Sequence, residues 1–118
     1  MNSKSELEAK LNEFARSLAA SLRLEVGVRV QVVDRLNNQT TYGRIFGDWG
    51  RGDLTIEVST EFEGDLRRIV VHEIVHAKLW LLQIAAGVSS LTDELFERAV
   101  TDLSNFLYSL LCRSTTGS

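Results

Sequence analysis

The chain has 118 residues, 44% hydrophobic and 25% charged, which suits one folded domain and excludes a disordered or fibrous chain. With 13 basic residues against 16 acidic the net charge is −3 and no basic stripe stands out, so nucleic acid is not an expected partner. One cysteine, Cys112, cannot build a disulfide framework, and no apolar run is long enough to span a bilayer. With a polar start that lacks a secretory h-region, this favours a cytoplasmic protein with no membrane partner.

In chain order, Leu7, Leu11, Phe14, Ala15, Leu18 and Leu22 recur at helical spacing, which predicts an amphipathic helix from about Ser5 to Leu22. Ser3 with Glu6, or Ser5 with Glu8, offers a capping box at its start. Val26, Val28, Val30 and Val32 alternate with Gly27, Arg29 and Gln31 as a half-buried strand. A polar turn at 37–40 leads to a second short strand around Tyr42 to Phe46. A glycine-rich loop over 47–53 precedes a third strand in which Leu54, Ile56 and Val58 face the core. Hairpin connections make a mainly antiparallel three-stranded sheet the simplest arrangement. Asn38-Gln39-Thr40 matches a glycosylation sequon and Arg51-Gly52-Asp53 an adhesion tripeptide, and loop and turn explain both better.

From about Gly64 to Ala86 apolar residues occupy nearly every side, which predicts a buried central helix that stops at Gly87. Residues 89–92 supply N-cap candidates for a last helix from about Thr92 to Leu111. Without proline or internal repeats, residues 1–118 form a single domain of α+β class, with 112–118 expected as a flexible tail.

The central helix carries the informative pattern. His72-Glu73-Ile74-Val75-His76 reads HExxH and contains both histidines of the chain. Four residues apart, the two imidazoles lie on one helix face, where both Nε2 atoms can approach one Zn²⁺. Glu73 stands where a carboxylate can act as general base towards an attacking water. Catalytic zinc keeps three protein ligands and an open position, and no third histidine exists. The remaining ligand is therefore sought among the carboxylates of the last helix.

Phe96, Val100, Leu103, Leu107 and Leu110 form an apolar stripe on that helix. Glu94 and Asp102 point away from it, Glu97 borders it and Asp93 lies slightly inside. Glu97, with the longer reach, is the preferred third ligand, and Asp93 is the alternative.

HExxH on one helix and a glutamate on the next resemble the gluzincin zinc metallopeptidases over roughly Leu54 to Leu111. The resemblance implies a zincin-like catalytic core of minimal size. His72, His76 and Glu97 would be the Zn²⁺ ligands, and Glu73 the base that later passes its proton to the leaving amine. It also implies that a peptide or protein substrate pairs with the sheet-edge strand bordering the cleft, here expected at 54–59. The pattern departs from the family in two places. Thr101 stands where many gluzincins place an aspartate that orients a zinc histidine, which leaves Asp93, Thr101, Ser104 or a backbone carbonyl for that task. No spare histidine remains to stabilise an oxyanion, and Tyr42, Arg67 and Arg68 are the candidates.

The expected activity is zinc-dependent hydrolysis of peptide bonds. The alternatives are a non-catalytic binding or regulatory module stapled by zinc, and a metal-free interaction protein.

Overall fold

A computed structural model describes residues 3–36, 42–85, 87 and 93–116. The elements follow in the order α1 (Ser3–Ser21), β1 (Gly27–Val33), β2 (Gly43–Asp48), β3 (Asp53–Ser59), α2 (Leu66–Ala85) and α3 (Asp93–Thr116). Three helices and one three-stranded sheet make an α+β fold. Among the described residues no helix is long and apolar enough to cross a membrane.

The sheet is mixed, not mainly antiparallel. Its strand order is β1-β3-β2. β2 pairs antiparallel with β3 in the register Ile45↔Ile56, so the hairpin across 47–53 is present. β1 instead runs parallel to β3, with Val30 opposite Ile56. Sequence adjacency favoured a hairpin between β1 and β2, yet the connector over 34–42 has ample reach for a crossing. Neighbouring strands lie about 4.8 Å apart, so passing over one strand takes only about 10 Å of chain. Burial selects β3 for the middle: Leu54, Ile56 and Val58 are 2%, 0% and 0% exposed.

A central β3 has both sides hydrogen-bonded and cannot receive a further strand. The expectation that a substrate pairs along 54–59 is corrected accordingly, because the edges of the sheet are β1 and β2. Of these, β1 is sealed by α1. Asn12 Nδ2 donates to the Val30 carbonyl and its Oδ1 accepts the Val30 N–H, both at 2.8 Å. Glu8 Oε1 accepts the Val32 N–H at 2.8 Å, so Glu8 serves the strand rather than the helix start. Among the described residues no backbone hydrogen bond reaches the outer edge of β2.

Leu11, Ala15 and Leu18 of α1, with Val70, Val71, Ile74 and Val75 of α2, cover the sheet face that presents Val30, Val32, Leu54, Ile56 and Val58. Asp65 N-caps α2, its Oδ1 accepting the Arg67 N–H at 3.0 Å. The helix stops as expected at Gly87, which takes φ +69° and donates its N–H to the Ile84 carbonyl at 3.0 Å. The turn expected at 37–40 and the N-cap candidates at 89–92 lie outside the described residues. Residues 112–116, expected as a tail, continue α3 as helix.

α3 packs on α2 alone among the larger contacts, which leaves it free to choose its face. That face is Phe96, Val100, Ser104 and Leu107, whereas Leu103 and Leu110 of the expected stripe are 40% and 51% exposed. The small Ser104 permits a close approach to the polar side of α2.

Candidate metal centre

Along the antiparallel α2–α3 interface four pairs face one another in order: Asp65 with Tyr108, Arg68 with Asn105, His72 with Ser104, and His76 with Glu97. Both histidines of HExxH therefore look onto α3, which carries the candidate third ligands.

His76 Nε2 stands 3.2 Å from Glu97 Oε1. Two donors bound to one tetrahedral zinc at 2.0–2.1 Å are separated by about 3.3 Å. The two atoms, in direct hydrogen-bond contact, thus have about the separation that two ligands of one ion would have. The Phe96 ring supports the imidazole, with centroids 5.0 Å apart. His76 Nδ1 is buried with no hydrogen-bond partner among the described residues, so the orienting acceptor usual for a metal-binding histidine is missing there.

His72 has such a partner. Its Nδ1 lies 3.4 Å from Ser104 Oγ, and Ser104 donates its own proton to the Thr101 carbonyl at 3.1 Å. With that proton committed, the serine oxygen is left to accept, which places the imidazole proton on Nδ1 and the lone pair on Nε2. Burial holds His72 below the usual histidine range, opposed by the charge of Glu97 and assisted by His76. The neutral imidazole is the form that binds a metal.

Glu73, only 9% exposed, faces the start of β2: a Cβ added at Gly43 would lie 3.6 Å from its Oε2. Burial, and then the charge of Glu97, raises its carboxyl to about 7. A carboxyl that titrates near neutrality can take up a proton and return it. Gly43 itself is required by the packing, since a Cβ there would collide with the Ile69 side chain.

Tyr42 and Gly43 on the strand side, with Phe62, Ile69, His72 and Glu73 opposite and Arg68 and Asn105 at one end, line an open cavity of about 310 Å³. A larger cavity of about 740 Å³ lies away from the histidines, between α1 and the start of α2. There Arg67 binds Asp65 through Nε and Nη2 at 2.9 and 2.6 Å, which removes Arg67 from the oxyanion candidates. Tyr42 and Arg68 remain. Trp80 packs on Trp49 at 4.4 Å between centroids and anchors the β2–β3 loop.

Among the carboxylates of α3, Glu94 is exposed beside Arg98 and Asp102 is exposed, while the side chain of Asp93 lies outside the described part. As the side chains stand, no three His, Cys, Asp or Glu groups among the described residues converge to hold a metal ion. His76 and Glu97 meet, and His72 is held by Ser104 one turn away. The donor set nonetheless fits zinc in kind: two imidazoles, one of them fixed in the metal-binding tautomer, and one carboxylate at ligand spacing from the other. Asn105, Phe62 and Gly43 were not singled out by the sequence. Asn105 lies about two turns beyond Glu97, a helical-face signal available for this residue.

No protein-family model, no curated protein and no solved structure matches the chain.

Proposed function

We propose that the protein is a zinc-dependent peptide-bond hydrolase with a minimal zincin-like core. The observation that carries this reading is the 3.2 Å approach of Glu97 Oε1 to His76 Nε2, which joins the second histidine of HExxH to the preferred downstream carboxylate. His72, His76 and Glu97 would hold the ion. Bound zinc supplies Lewis acidity, polarising a carbonyl and easing the ionisation of water. Glu73 takes a proton from the attacking water and passes it to the leaving amine, and its burial excludes bulk water from that exchange. The open edge of β2 is the place for an extended peptide, because β3 is central and β1 is sealed. Gly43, at the start of that edge, faces Glu73.

The test is metal content by elemental analysis of wild type and Glu97→Ala, followed by a peptide-library digest with the metal-loaded protein. About one zinc per chain, weakened in the variant, together with cleavage that stops in Glu73→Gln, supports the hydrolase. Failure to take up zinc removes it.

A second reading, a zinc-stapled binding module, has one observation in its favour. Leu95, Leu103, Phe106 and Leu110 leave a line of exposed apolar side chains along α3. Zinc uptake without cleavage of any peptide would select it.

A further inference from the structure

The cavity beside HExxH has an apolar wall and a single cationic end. Tyr42 and Phe62 pack ring to ring, with centroids 5.4 Å apart, and Ile69 continues that wall. At the other end stands Arg68, one helical turn before His72. Its guanidinium is fixed by neutral groups only: Nη1 donates to Asn105 Oδ1 at 3.0 Å, and the cation lies 4.3 Å above the centre of the Tyr108 ring. Among the described residues Arg68 forms no ion pair, whereas its neighbour Arg67 is fully engaged by Asp65. The planar fork is held in place with donors to spare, which is the arrangement that suits a carboxylate.

We propose that Arg68 anchors a carboxylate of the bound ligand. On the hydrolase reading, on which the word substrate rests, this defines the substrate class as peptides with a carboxylate close to the scissile bond. Four helical steps separate Arg68 from His72, about 6 Å along the axis. A carboxylate on the residue next to the scissile carbonyl spans that separation. It is either the α-carboxylate of a C-terminal residue or the side chain of an acidic one. The volume of about 310 Å³ accommodates one residue, its side chain lying against Tyr42, Phe62 and Ile69.

The experiment uses the metal-free, ¹⁵N-labelled full chain in chelator, so that its outcome is independent of zinc and of hydrolysis. Two probe pairs are titrated by NMR: N-acetyl-phenylalanine against its amide, and N-acetyl-aspartate α-amide against N-acetyl-asparagine amide. At least one carboxylate is expected to bind tenfold or more tightly than its uncharged partner, shifting the amides around Arg68, His72 and Asn105. Preference in the first pair assigns the α-carboxylate, and preference in the second assigns an acidic side chain. Arg68→Gln, at an exposed position, is expected to abolish the preference with an unchanged thermal melt, and Arg68→Lys to keep part of it. Asn105→Ala, which frees the guanidinium, is expected to weaken it. No binding of any probe, equal binding within both pairs, or an undiminished preference in Arg68→Gln overturns the proposal. A carboxylate preference in a protein that takes up no zinc would keep the anchor and remove the hydrolase.

Discussion

Glu97 and His76 face each other across the α2–α3 interface with Oε1 3.2 Å from Nε2, although 56% of the Glu97 side chain remains open to solvent. A side-chain contact so exposed contributes little to folding, about 0.2–1 kcal/mol. Its worth lies in what it can hold between its two atoms. In chelator, Glu97→Ala should therefore melt within a few degrees of wild type. With excess zinc, wild type should gain stability in proportion to its affinity and the variant should gain much less. Equal zinc-induced shifts in the two proteins, read by differential scanning fluorimetry, would remove Glu97 from the ligand set.

Glu73 gives a pH signature in the metal-free protein. Its folded-state pKa, about 7, lies above the ordinary 4.5. A raised acid contributes stability that is complete below the unfolded pKa and is lost as pH rises through the folded one. Between about pH 4.5 and 7, wild type should lose stability relative to Glu73→Gln, by roughly 2–4 kcal/mol at the plateau. Urea melts at pH 4, 6 and 8 measure the difference, and a flat difference would place the carboxylate in water.

Asp65 has the opposite sign. Burial works to raise its pKa, but hydrogen bonds from the Arg67 side chain and backbone and from the Tyr108 hydroxyl overcome this and hold it below the usual aspartate range. A depressed acid contributes stability present above the unfolded pKa and lost as pH falls through the folded value. Tyr108→Phe, which deletes the 2.9 Å bond, should cost about 1–2 kcal/mol at pH 7. The cost should shrink below pH 4 as Asp65 protonates, and a pH-independent cost would assign the loss to packing instead.

Gly43→Ala should destabilise the fold by about 1–3 kcal/mol, because the added methyl enters the space of the Ile69 side chain. The double variant with Ile69→Leu, which lacks the colliding β-branch methyl, should recover part of the loss. Denaturant midpoints of the two singles and the double decide whether the two sites couple, and simple additivity would show that the strand moves instead.

Much of this arrangement was legible in local pattern. The alternation of Leu54, Ile56 and Val58 marked the inner face of β3, and the φ of Gly87 matches its reading as a helix stop. The HExxH spacing and the helical phase of Glu97 pointed to two groups that meet in space. What escaped was non-local. Strand order depends on which of three alternating segments buries most, and chain adjacency misassigned β1. The stripe on α3 was read from apolar content, yet Leu103 and Leu110 are exposed because the partner face of α2 presents Arg68, His72 and His76. The α2 cap at Asp65 stands just before Leu66 without the Glu or Gln three residues on that completes a capping box.

The bonds from Asn12 and Glu8 to β1 give the sheet a direction of growth. Any additional strand, whether a ligand or another copy of this chain, must add beside Gly43–Asp48, next to Glu73. Self-association through the sheet and the proposed pairing of a peptide along β2 would then compete for one edge. On the proposed reading, a peptide bound along β2 would then keep two copies from joining strand to strand.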